Sequence, residues 1–116
     1  MNAASGTVNL KAAMFLERAL IRFRDLHPDV TAQQILFFLA VAIAPGISQN
    51  ELHERTGICD STASRTAALL THLGNRHTPG LDLVRMEEDP NDRRRKTLEL
   101  TAKGRRLMND VAADLI

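Results

Sequence analysis

Two short helix signals separated by a single glycine constrain this chain more than any other feature. Ser48-Gln49-Asn50-Glu51 has capping-box spacing: the first hydroxyl can meet the amide three residues on, and the fourth side chain can reach back. Gly57 follows, a residue suited to the left-handed step just past a helix C-terminus. Cys59 or Asp60 can then cap a second helix, predicted to run to about Leu73. Two short helices around a tight glycine turn have the outline of a helix-turn-helix.

The flanking segments extend that outline. Val8, Ala12, Phe15, Leu16, Ala19, Leu20, Phe23 and Leu26 recur at helical spacing. His27-Pro28 ends this helix, because proline disfavours helical geometry in the residue before it. Thr31-Ala32-Gln33-Gln34 is another capping box, followed by the apolar run Ile35 to Ala44, expected to be a helix buried on nearly all sides. Pro45-Gly46 stops it. Residues 1–7 are small and polar and read as a frayed end.

Beyond the helix pair, Gly74 to Gly80 is a polar loop. Leu81 to Met86 and Lys96 to Leu100 read as strands, the second with clean alternation. Between them Glu87 to Arg95 is charged, with Pro90-Asn91 as the turn. Thr101 can cap a last helix that carries Leu107, Met108, Val111, Ala112 and Leu115 on one face. The expected fold is mainly α with a small antiparallel β-hairpin: a winged helix-turn-helix in one domain over residues 1–116. Residues 31–100 form its core, with the wing at 81–100. Helices 8–26 and 102–116 flank it and are expected to close a homodimer. Phe15, Leu16 and Phe23 supply more apolar surface than one small core requires.

Composition removes other classes. At 116 residues the chain has the size of one domain. A lone cysteine, Cys59, forms no internal disulfide and no multi-cysteine zinc site, and suits a reducing cytoplasm. Lys11, Glu17 and Arg18 interrupt any signal-peptide core. The longest apolar run is half of the ~20 residues that span a bilayer, so no membrane partner is expected. Four Phe with no Trp or Tyr poorly supply a platform for stacking single-stranded bases. His27, His53, His72 and His77 show no tight pairing, so no metal is expected. With no paired catalytic carboxylates, glycine-rich phosphate loop or nucleophile elbow, neither a cofactor nor enzyme activity is expected.

The net charge of +1 hides a separation. Residues 91–106 hold seven cations against Asp92 and Glu99, a net +5. A cationic tip on a narrow ribbon suits a minor groove, whose negative potential attracts arginine. Over residues 82–92 five acids oppose Arg85 alone, a net −4 that would cost affinity beside a DNA backbone. Near its start, the second helix of the pair offers Ser61, Thr62, Ser64 and Arg65. Short hydroxyls and free amides there favour phosphate, and Arg65 can address guanine O6 and N7. Ala63, Ala67, Leu70 and Leu73 fall on the opposite, core-facing side. Gln49 at the first helix's start is a further phosphate candidate.

Residues 47–107 resemble the MarR-type winged-helix regulators. The matching stretches are ISQNELHERTGICDSTASR and EDPNDRRRKTLELTAKGRRL, the second being more specific through Asp92-x-Arg94 and Leu100-Thr101-x-x-Gly104. The resemblance implies that Asp92 and Arg94 pair, that Arg94 enters the minor groove, and that Arg93 and Arg95 contact the backbone. It implies a homodimeric regulator, most simply a repressor, on near-palindromic double-stranded DNA in a bacterial, phage or plasmid setting. Family members are usually longer, so a short last helix or a missing further one is expected here. The loop Gly74 to Gly80 is longer than usual and carries Arg76 and His77. Many members answer a small phenolic ligand or cysteine oxidation, which makes Cys59, at a helix N-terminus, a candidate redox sensor against the plainer role of a semi-buried residue. The alternative from another class is a winged-helix protein-interaction module, an antirepressor or replication-associated adaptor, but that role does not need three consecutive arginines at the tip.

Overall fold

A computed structural model describes residues 8–115; the expected frayed end over 1–7 lies outside the described residues. The elements run α1 (Leu10–Leu26), α2 (Ala32–Ile43), β1 (Ile47–Ser48), α3 (Gln49–Thr56), α4 (Asp60–Leu70), β2 (Val84–Asp89), β3 (Asp92–Leu100) and α5 (Ala102–Ala113). The three strands form one antiparallel sheet in the order β1-β3-β2. This is the winged helix-turn-helix expected from the sequence, with one strand added.

The helix starts follow their caps. Asn9, Thr31, Ser48 and Thr101 each accept a backbone N–H from the first turn of the helix they precede. Thr31 and Ser48 complete reciprocal capping boxes with Gln34 and Glu51. Gly57 closes α3 in the left-handed region at φ 75°, where a side chain would be strained. His53 Nδ1 lies 2.6 Å from the Ile58 carbonyl, which ties α3 to the same turn.

The core gathers α2, α3, α4 and the inner face of the sheet. Phe37, Phe38, Val41, Leu52, Leu70, Leu83, Val84 and Leu98 are its fully buried large side chains. Phe23 of α1 meets Phe38 edge to face, ring centroids 5.6 Å apart. Phe23 therefore belongs to the core of the single chain, while Leu16 stays exposed and Phe15 is half-buried. The apolar run of α2 is less enclosed than expected. Leu36 is 48 % and Ile43 63 % exposed, on a side that no other described element of the chain covers.

Two element boundaries differ from the sequence expectation for a common reason. The α4 helix ends at Leu70, not Leu73, and Leu73 is exposed, not core-facing. The carbonyls of Leu69, Leu70 and Thr71 are taken by the amides of Leu81, Leu83 and Asp82. The segment 81–83 is therefore used to satisfy the end of α4, and β2 starts only at Val84. Asp82 adopts φ 56° there, a conformation Asp tolerates better than most residues. Within the long loop, Asn75 Oδ1 accepts the amides of His77 and Thr78.

The added strand, β1, pairs Ile47 with Leu98 and Ser48 with Thr97. Two residues are too few to show alternation in a sequence. At the far end of β3, the Leu100-Thr101-x-x-Gly104 stretch locks α5 onto the same segment. Thr101 Oγ1 donates to the Asp82 carbonyl at 2.6 Å, and Thr101 N donates to that of Leu83 at 3.0 Å. A Cβ on Gly104 would stand 2.2 Å from the Leu83 carbonyl oxygen. At the opposite end of α5, Arg22 of α1 grips Asp114 through two N–H donors at 2.6 and 3.1 Å. That pairing holds the Asp114 carboxyl below the usual carboxylate range.

Candidate nucleic-acid interface

The α4 helix splits cleanly by face. Ala63, Thr66, Ala67, Leu69 and Leu70 are buried, whereas Ser61, Ser64 and Arg65 are exposed and Thr62 is half-buried. The Arg65 guanidinium rests 3.3 Å from Thr62 Oγ1, a neutral partner that leaves its charge uncompensated. Thr71 is buried and donates to the Ala68 carbonyl, while His72 is exposed.

The exposed face of α4 looks across a groove of about 600 Å³ at the wing. Ser64, Ala68 and His72 line one side, and Met86, Glu88 and Lys96 the other. A second groove of about 270 Å³ lies between the first residues of α3 and the wing, with Gln49 and Asn50 facing Asp92, Arg94 and Lys96. Gln49 lines both, so α3, α4 and the wing share one concave surface.

The expected charged loop between strands is largely strand. Glu87 to Asp89 belong to β2 and Asp92 to Arg95 to β3, leaving Pro90-Asn91 as the turn. The ladder pairs Glu88 with Lys96 and next Asp89 with Asp92. Arg93, Arg94 and Arg95 thus have no partner on β2 and form a bulge, a device that re-aims side chains and raises local twist.

The acids that look unfavourable in the sequence are mostly neutralised inside the wing. Arg85 pairs with Glu87 at 3.1 Å and Glu99 at 2.7 Å, and Lys96 pairs with Glu88 at 3.0 Å. Arg95 reaches Asp89 at 3.4 Å and Glu51 of α3 at 2.5 Å. Asp92 faces Arg94 at 3.5 Å, the pairing that the family resemblance implies. Four of the five acids in the stretch 82–92 are therefore answered by a cation. Arg93 is exposed and has no ion-pair partner among the described residues. The Arg94 side chain is 94 % exposed despite its carboxylate.

Cys59 precedes α4 and is exposed, not semi-buried. Its side chain makes no cap to the helix amides. The Sγ instead lies 3.4 Å from Ser61 Oγ and 3.3 Å from Thr62 Oγ1. Those hydroxyls, Ser61 first, stabilise the thiolate and bring the thiol pKa down to about 6.

No family model matches the chain. Transcriptional regulator HosA of Escherichia coli O111:H- is 38 % identical over 87 residues, which are 75 % of this chain and 58 % of that protein. The chain thus spans less than two thirds of the curated relatives it matches. The PcaV transcriptional regulator of Streptomyces coelicolor, solved in complex with its natural ligand, aligns with 99 % of this chain and 76 % of its own, at 25 % identity and a TM-score of 0.61. MarR aligns with 92 % of this chain and 75 % of its own, also at 25 % identity and a TM-score of 0.61. A MepR mutant from S. aureus, bound to an oligodeoxyribonucleotide, shares the fold at a TM-score of 0.67, with 21 % identity over 90 % of this chain and 70 % of its own. Sequence likeness to a transcriptional regulator and fold likeness to MarR agree with the wing motif, and the chain has the winged-helix fold of the MarR-type regulators.

Proposed function

We propose that the chain is the DNA-binding unit of a transcriptional repressor that works as a homodimer in the cytoplasm. Each α4 would enter a major groove of double-stranded DNA, with Ser61, Thr62 and Ser64 on phosphate and Arg65 on a guanine edge. Each wing would place Arg93 and Arg94 at the adjacent minor groove. Gln49 adds a backbone contact from α3. The observation that supports this reading best is the shared concave surface, with the polar face of α4 on one side and, on the other, the wing tip where the Arg94 side chain stays 94 % exposed beside its carboxylate. The DNA-bound MepR mutant of the same fold supports it.

Dimerisation rests on α1. Leu10, Met14, Leu16 and Leu20 are each more than half exposed. Several large apolar side chains exposed along one helix mark an interaction surface. The two-fold axis implies a near-palindromic site with half-sites about one helical turn apart. PcaV was solved with its natural ligand, and a small-molecule effector belongs to the same proposal. We read the chain as a binding protein, not an enzyme, since its relatives are regulators. Among the described residues, no helix is long and apolar enough to cross a membrane.

Titration of a labelled mixed-sequence duplex, followed by fluorescence anisotropy, tests the reading. The expected result is binding that weakens steeply with salt, with a log–log slope of about −0.9 per neutralised phosphate. Absence of binding to any duplex, with capture of a protein partner through the wing, would favour the interaction-module alternative.

A further inference from the structure

Resting on the DNA-binding reading above, we propose that Arg95 is a positioning residue, clamped by Glu51 and Asp89 so that the wing is held at a fixed distance from α3 and α4. The three arginines of the tip do not share one job. Arg93 and Arg94 point their charge to solvent, but the Arg95 guanidinium is divided between two carboxylates on different elements. One nitrogen donates to Glu51 at 2.5 Å and the other to Asp89 at 3.4 Å.

The backbone shows why such a clamp is needed. The β1–β3 ladder ends at Ser48 and Thr97, where β1 gives way to α3. The β2–β3 ladder pauses after Lys96, leaving the bulge 93–95 without cross-strand partners. Arg95 thus sits where both ladders fail, and its side chain continues the attachment to each neighbour. Asp89 is the last residue of β2 and lies across the turn. Glu51 is already fixed, because its carboxylate also accepts the Ser48 amide in the capping box of α3. The clamp therefore ties the wing to a residue that the helix-turn-helix has itself immobilised. An arginine suits the task, since its planar fork presents donors on two separate terminal nitrogens, one to each carboxylate, where a lysine offers a single nitrogen at the end of a flexible stem. A guanidinium whose charge is already answered by two carboxylates gains less from a phosphate than does Arg93, which has no ion-pair partner among the described residues.

The role separates from a phosphate contact by experiment. Arg95→Ala, Arg95→Lys, Glu51→Gln and the Arg95→Ala/Glu51→Gln pair are compared with wild type, using a mixed-sequence duplex over a range of salt. Glu51→Gln keeps one acceptor oxygen for the Ser48 amide and removes the charge. A clamp predicts a few-fold weaker binding for Arg95→Ala, for Arg95→Lys and for Glu51→Gln, no further weakening in the double variant, and an unchanged salt slope. A lower slope by about 0.9 in Arg95→Ala, with Arg95→Lys near wild type, would overturn the proposal in favour of a phosphate contact. Amide hydrogen exchange of the free protein gives a readout independent of DNA. Exchange over residues 91–97 should quicken in Arg95→Lys and Glu51→Gln alike, and unchanged exchange in both would remove the clamp. Should wild type bind no duplex, the DNA-binding reading fails and the exchange data alone decide the clamp.

Discussion

Asp92 and Arg94 are joined twice: Asp92 Oδ1 accepts the Arg94 backbone N–H at 3.0 Å and lies 3.5 Å from Arg94 Nε. The carboxylate holds the base of the side chain while the guanidinium stays exposed. A pair of this kind orients a charge without consuming it. Arg94→Ala should weaken duplex binding and lower the salt slope by about 0.9 for each phosphate that the variant no longer neutralises. Anisotropy titrations at several salt concentrations check this. An unchanged affinity and slope would remove the wing from the DNA interface.

Gly104 is required by close approach, not by flexibility. Its α-carbon faces the Leu83 carbonyl, which also receives the Thr101 amide. Gly104→Ala should push α5 off the 82–83 segment at a cost of about 1–3 kcal/mol, the range of an overpacked core. Thermal unfolding followed by circular dichroism should show a melting temperature lower by several degrees. A melting curve identical to wild type would mean that α5 docks elsewhere.

Much of this architecture was legible because caps and turns are short-range chemistry. Thr31, Ser48 and Thr101 mark their helices by side chain alone, and Gly57 marks the turn. The misses have long-range causes. Leu81 to Leu83 look like strand, but they are drawn to the open carbonyls of α4. The strand β1 exists only because β3 lies beside it. Glu51 reads as a capping residue and is one, yet its bond with Arg95, 44 positions away, leaves no trace in spacing. The acids of the wing suggest repulsion from DNA until the hairpin sets most of them beside a cation. A deliberate search for opposite charges across the predicted hairpin would have found the Glu88–Lys96 pair.

The Cys59 thiol should react as a thiolate at neutral pH. With its pKa lowered to about 6 by the Ser61 and Thr62 hydroxyls, iodoacetamide alkylation should reach half its plateau rate near that pH. An ordinary thiol gives a midpoint near ~8.5. Because the hydroxyls favour the charged form, Ser61→Ala should move the midpoint upward. A wild-type midpoint in the ordinary range would remove the activation. In a matching test of oxidant sensitivity, a full oxidant response retained by Cys59→Ser would exclude this thiol as the sensor.

The exposed face of α1 predicts a dimer. Leu16→Glu/Leu20→Glu changes two side chains that are each more than half exposed in the single chain, so the fold should survive. Sedimentation velocity should show wild type as a dimer at micromolar concentration and the double variant as a monomer with an unchanged circular dichroism spectrum. A monomeric wild type would end the two-fold account of the DNA site.

The central claim is that α4 reads sequence while the wing holds position, and selection of bound sites from random duplex DNA tests it most directly. Wild type should enrich an inverted repeat with half-sites about 10 base pairs apart. Arg65→Ala should enrich the same repeat with preference relaxed at one position per half-site, a cost of about 1–3 kcal/mol there. No enrichment over the starting pool with wild type, or an Arg65→Ala profile identical to it, would contradict the account.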